Sequence, residues 1–149
     1  MKKLLYLFLV FGLFACSSDP NNENLNLQIG DFHQGGMIFS LNASGYSGKV
    51  ASIEDLGTMS RLQGVNACED FVFEGYYDWY LPDIGELSLM FNTIGQGEDN
   101  IGDFTDARYW SSSTNSSGSF LSFNFGTGES ENGWNPILNF RIRAVRSFP

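Results

Sequence analysis

The chain has two cysteines, and only Cys68 lies where a folded body can use it, because Cys16 follows directly on an apolar leader. A single thiol cannot close an internal disulfide, so the body must be held by its core. Residues 29–149, about 120 in all, make one domain of ordinary size. That is large enough to bury a core without covalent staples. Aromatic side chains are plentiful, Trp79, Trp110 and Trp134 among them, and the 17 glycines are spread along the chain. This is the composition of a loop-rich α+β domain. No internal repeat occurs, and no later apolar run is long enough to span a membrane. Cys68 reads as a small buried side chain on a helix face. A nucleophilic thiol needs an adjacent base, and the only histidine, His33, is distant in sequence.

The leader has its parts in a set order. Lys2 and Lys3 give a positive start, Leu4 to Phe14 are eleven uncharged residues, and Leu13-Phe14-Ala15 ends in a small residue before Cys16. The apolar run is shorter than the roughly 20 residues a membrane-spanning helix requires. Leu13-Phe14-Ala15-Cys16 resembles a bacterial lipobox. The resemblance implies removal of residues 1–15, lipidation of the Cys16 sulfur and N-acylation, hence stable anchoring to a membrane. Ser17 is not the aspartate that marks inner-membrane retention, which favours the outer membrane, on its periplasmic face or the cell surface. An ordinary secretory signal is the alternative. Residues 16–28, beginning Cys16-Ser17-Ser18-Asp19-Pro20, have no apolar period and read as a flexible tether.

Loss of Lys2 and Lys3 leaves six basic residues against 17 acidic ones, a net charge of −11. Such a surface repels phosphate backbones, so nucleic acid is not an expected partner. Sulfated polysaccharides are disfavoured unless the few arginines cluster.

Periodicity predicts the following elements. Gly36 to Leu41 and Lys49 to Ile53 read as a hairpin across a turn-forming stretch. Thr58 to Phe73 reads as a helix with Leu62, Val65, Cys68 and Phe71 on one face, weakened by Gly64. A second helix follows Pro82, with Asp83 as N-cap and Glu86 completing a capping box. Ile84, Leu87, Met90, Phe91 and Ile94 form its apolar face, and Gly95 is expected as a left-handed stop. Tyr109 to Thr114 and Phe120 to Phe125 read as strands, Gly95 to Asp106 and Gly126 to Pro136 as loops. The last strand, Phe140 to Phe148, is expected beside the early hairpin, with Arg143 and Arg146 meeting carboxylates.

Several blocks together resemble one family. They are Asp78-Trp79-Tyr80-Leu81-Pro82-Asp83-Ile84-Gly85-Glu86-Leu87, Tyr109-Trp110-Ser111-Ser112-Ser113, Phe120 to Gly128 and Arg143-Ala144-Val145-Arg146. The opening Ile29-Gly30-Asp31-Phe32-His33-Gln34-Gly35-Gly36-Met37-Ile38-Phe39 belongs with them. In order and spacing this set is similar to the Lcl C-terminal-like domain, found in secreted bacterial proteins and lipoproteins. The resemblance implies a C-type-lectin-like α+β fold: a small mixed or antiparallel sheet, two helices and long loops on one side. The shared motifs describe a scaffold and identify no site.

Two loops carry candidate chemistry. Glu98, Asp99, Asn100, Asp103 and Asp106 place five oxygen donors within nine residues, a composition suited to calcium, without EF-hand spacing. Glu129, Glu131, Asn132 and Asn135 surround Trp134, whose indole is expected to stack on a sugar ring. Solvated acidic turns are the alternative for both. No Gly-x-Ser-x-Gly elbow occurs, and carboxylate pairs among 17 acids carry no signal for glycoside hydrolysis. The chain therefore reads as a non-catalytic, membrane-anchored binding or adhesion module for glycan or protein. The alternative is a structural or accessory envelope lipoprotein.

Overall fold

The computed structural model describes residues 26–149. The leader, Cys16 and most of the tether lie outside the described residues. Among those described, no helix is long and apolar enough to cross a membrane.

The fold is α+β, with two helices and two sheets. Strands β1 (Phe32–His33), β2 (Gly36–Leu41) and β3 (Gly48–Ala51) form an antiparallel run that ends on β9 (Val145–Phe148). The second sheet has the order β4 (Gly57–Met59), β8 (Phe140–Ile142), β5 (Arg108–Thr114), β6 (Phe120–Asn124), β7 (Glu129–Trp134). Only the β5–β8 contact is parallel. Helix α1 (Arg61–Glu69) follows β4, and α2 (Ile84–Thr93) precedes β5.

The expected terminal strand is broken at Arg143 and Ala144. Its first part joins the second sheet and its last part pairs with β3, so one bent segment ties the two sheets together. Neighbouring residues on these strands feed opposite sides, as strand geometry requires. Ile38, Trp110 and Ala144 enter one apolar cluster with Cys68, Trp79, Leu81 and Ile142. Phe39, Tyr109 and Val145 enter the other, with Leu87, Met90, Ile94, Phe104, Phe123 and Phe125. Both faces of the bent strand are covered, so Arg143 and Val145 are buried rather than exposed on an outer face.

Helix α2 begins as its sequence dictates. Asp83 Oδ1 accepts from Glu86 N at 2.7 Å, and Glu86 Oε2 accepts from Asp83 N at 2.8 Å. Its end differs: the C-cap is Ile94, and Gly95 is not left-handed. Gly95 is required by close approach, since a Cβ there would lie 2.9 Å from Phe91 Cα. Helix α1 is shorter than expected because residues 57–59 pair with β8. Its expected face packs inward at Val65, Cys68 and Phe71, but Leu62 is exposed and Gly64 is buried. A Cβ at Gly64 would sit 2.1 Å from Ile142 Cδ1, so the glycine that weakens the helix is what lets it reach the sheet. The stretch Gly126 to Pro136, expected as a loop, contains edge strand β7, with a register irregularity opposite Phe120 and Leu121.

Candidate functional site: an aromatic and polar groove on the second sheet

All six described basic side chains are engaged within the molecule. Lys49 Nζ pairs with Glu86, which also accepts from the Tyr80 hydroxyl. Arg61 donates to the carbonyls of Ser111 and Ser112 and lies 4.3 Å over the Phe120 ring. Arg141 and Arg143 share Asp55, and Arg146 pairs with Asp78. Arg108 pairs with Glu131. Most carboxylates have no such partner, so the outer surface keeps the acidic character of the sequence.

Arg108 stands at the centre of the most varied polar surface. It starts β5 and donates from Nε and Nη2 to the two oxygens of Glu131 on β7. Asn124 on β6 donates to Glu131 Oε1 at 3.0 Å. The Arg108 guanidinium, foremost, and then the Asn124 amide hold the Glu131 carboxyl below its ordinary pKa. The same guanidinium lies 4.8 Å from the Trp134 ring centre. Trp134 meets Phe140 edge-on at 5.5 Å, and Phe140 packs on buried Trp110 at 4.5 Å. Next to this wall runs a groove of about 320 Å3, lined by Thr58, Ala107, Arg108, Asn139, Phe140 and Arg141.

Strand pairing explains why these groups meet. Arg108 faces Asn124 across β5–β6, and Glu131 lies diagonally across β6–β7. Phe120 opposite Trp134 sets the far end. A planar cation, a planar carboxylate, amides and an aromatic wall are thus fixed before any ligand arrives. They offer donors and acceptors for hydroxyl groups together with an apolar face.

Of the second set of expected ligand residues, Glu131 and Trp134 meet at this wall. Glu129 and Asn132 are exposed elsewhere on β7, and Asn135 accepts from the backbone N of Ile137. Trp134 is only partly exposed and its indole nitrogen is buried. The ring has the Arg108 guanidinium over it and Phe140 edge-on to it. Arg108, Asn124, Asn139 and Thr58 were not foreseen, because they come from four separate stretches of sequence. The one signal that pointed to them was the alternation of β5 and β6, which fixes the neighbours of Glu131 once β7 is recognised as a strand.

In the loop at residues 95–106, two of the five expected calcium donors are engaged in hydrogen bonds within the loop. Asn100 accepts from Phe104 N at 2.9 Å and donates to Phe104 O at 2.9 Å, so both ends of its amide are engaged. Asp106 accepts from Gln96. Asn100 and Asp103 hold left-handed turns, at φ 51° and 52°, a conformation these two residue types tolerate. Glu98 and Asp99 are exposed. Among the described residues, no group of three or more His, Cys, Asp or Glu side chains is placed to hold a metal.

Cys68 is fully buried, and burial pushes its thiol up to about 12, which keeps it protonated. His33 lies in short β1, and its ring meets Phe148 edge-on at 4.8 Å.

No family model matches the chain, and none of the curated proteins matches it.

Proposed function

We propose that the chain is a lipid-anchored extracytoplasmic lipoprotein whose head is a non-catalytic recognition module for neutral glycans. On this reading Cys16 carries the anchor in the outer membrane, and residues 16–28 hold the head off it. The head is assigned to the Lcl C-terminal-like group and its C-type-lectin-like shape on the sequence blocks quoted above. Two helices beside a bent, mixed strand system are in keeping with that assignment.

The observation that carries the ligand reading is the cluster of Arg108, Glu131, Asn124 and Trp134 beside the groove, which Arg108 joins to the groove lining. Arg108 is neutralised by Glu131, and Arg141, which also lines the groove, by Asp55, so the site suits an uncharged ligand. The acidic surface around it opposes phosphate and sulfate. Buried, protonated Cys68 and the apolar contact of His33 support a role without chemistry. Calcium is not part of this reading, because Asn100 and Asp106 are already engaged by Phe104 and Gln96.

Binding of the detergent-solubilised chain to a glycan array tests the ligand. Signal on neutral glycans that is lost in Trp134→Ala and kept in Glu98→Gln, both shown folded by circular dichroism, supports the groove. An empty array, with envelope proteins co-purifying, would favour the accessory-lipoprotein reading instead. Membrane fractionation of Cys16→Ser tests the anchor, and unchanged fractionation would remove it.

A further inference from the structure

A second cleft, also of about 320 Å3, opens between the β3–β4 link and the stretch after α1. It is lined by Ile53, Glu54, Asp55, Leu56, Phe71 and Phe73. Leu56 and Phe71 form the floor and pack against the apolar cluster around Cys68. Phe71 meets Trp79 edge-on at 5.2 Å and lies parallel to Phe73 at 6.2 Å. The rim is apolar and open: Ile53 and Phe73 are each 39% exposed, and neighbouring Val72 is 63% exposed. Large apolar side chains left open around a concavity mark a surface for a partner.

Charge selects the partner. Asp55 is committed to Arg141, Arg143 and Tyr109. Glu54 on the same wall is exposed and in no ion pair. Glu69, Asp70 and Glu74 bracket Phe71 and Phe73 in the chain, and all three are exposed. Neither cleft-forming stretch, 53–56 or 69–74, contains a lysine or arginine. The cleft thus joins an apolar seat to one open carboxylate on its wall, Glu54, with further exposed carboxylates next in the chain to Phe71 and Phe73.

We propose that this cleft docks a polypeptide segment that inserts one large apolar side chain flanked by lysine or arginine. The anchor fills the seat on Leu56 and Phe71, and the cations meet Glu54 and Glu74. Buried anchors with a charged rim are the usual division of labour at protein interfaces. An anionic lipid surface would meet the same carboxylates and be repelled. The inference goes beyond the glycan reading and makes no use of the groove.

The test uses the full chain in non-ionic detergent and a fluorescent peptide, acetyl-Gly-Lys-Phe-Lys-Gly-amide. Saturable binding that weakens with salt is expected. The Glu54→Gln/Glu74→Gln double variant is expected to weaken it about three- to tenfold, the range for two exposed ion pairs. Ile53→Ser, on the open rim, is expected to weaken it without lowering the melting temperature. Peptides with Gly for Phe, or Glu for Lys, are expected to bind far more weakly. Equal affinity for the glutamate peptide overturns the proposal, as does absence of saturation at millimolar peptide. Displacement by a neutral oligosaccharide also overturns it, since the cleft would then belong to a glycan. The glycan array is read on the same preparation, so either reading can fail while the other stands.

Discussion

Arg143 and Arg146 stand three positions apart on the last strand segments and do different work. Arg143 lies at the bend between the sheets with its side chain 2% exposed. It donates from Nε to Asp55 Oδ1 at 2.8 Å and from Nη1 to the carbonyls of Ser52, Ile53 and Gly102 at 2.8–3.0 Å. Its guanidinium sits 4.1 Å over the Phe104 ring. One side chain therefore fastens the β3–β4 link, the acidic loop and the strand bend together. Arg146 is nearly as buried, but its partner Asp78 is 53% exposed. It also meets the Gln34 carbonyl and side-chain oxygen, the face of Tyr76 at 4.0 Å and that of Trp79 at 5.9 Å. Water can take over the carboxylate of Asp78, whereas Asp55 is 10% exposed and the Arg143 bonds to the Ser52 and Gly102 carbonyls are buried. The difference between the two lies in what each leaves behind when removed.

Replacing each arginine in turn tests that contrast. Arg143→Ala strands several buried acceptors, and a loss of about 3–5 kcal/mol is expected by urea denaturation. Asp55→Asn leaves Arg141 and Arg143 facing a neutral acceptor and is expected to cost about 3 kcal/mol. Tyr109→Phe probes the same centre more gently. The Tyr109 hydroxyl donates to Asp55 Oδ2 and accepts from Thr105 N. Burial, and then the Asp55 charge, push that hydroxyl up to about 12. Its loss is expected to cost about 1–2 kcal/mol. Arg146→Ala is expected to cost about 1 kcal/mol, because Asp78 is resolvated. If Arg146→Ala proved as costly as Arg143→Ala, the contrast between the two sites would be wrong.

The sequence made part of this legible. The arginines of Arg143-Ala144-Val145-Arg146 were expected to meet carboxylates, and each does. Pro82, Asp83 and Glu86 announced α2, because helix caps are local and written in neighbouring residues. The break between β8 and β9 was not legible. Phe140 to Phe148 alternates well enough for one strand, and only pairing with β3 on one side and with β4 and β5 on the other divides it. Strand β7 was hidden for a related reason: Glu129-Ser130-Glu131-Asn132 is polar, as an edge strand can be, and polarity suggested a loop. The groove inherited that gap. Glu131 and Trp134 stood out as residue types, whereas Arg108 and Asn124 acquire meaning only through cross-strand pairing.

The smallest expected effect sharpens the contrast most, because it isolates Asp78. The Arg146 guanidinium, foremost, holds the Asp78 carboxyl below its ordinary value. A carboxyl depressed in the folded state binds fewer protons there than in the unfolded chain. Its contribution is complete above the unfolded value of about 3.9 and is lost as pH falls through the folded one. Wild type should therefore exceed Asp78→Asn by a small, constant margin above about pH 5, and the margin should close in more acid solution. Glu131 is depressed in the same direction by Arg108, but it is present in both chains and cancels in the difference. Added salt should shrink the margin at neutral pH, because half of the Asp78 side chain faces solvent. The corresponding margin for Arg143→Ala should respond less to salt, since the Arg143–Asp55 pair is far less exposed than Asp78. A salt response of equal size at both sites would mean that Arg143 is also reached by solvent, and that burial does not separate the two.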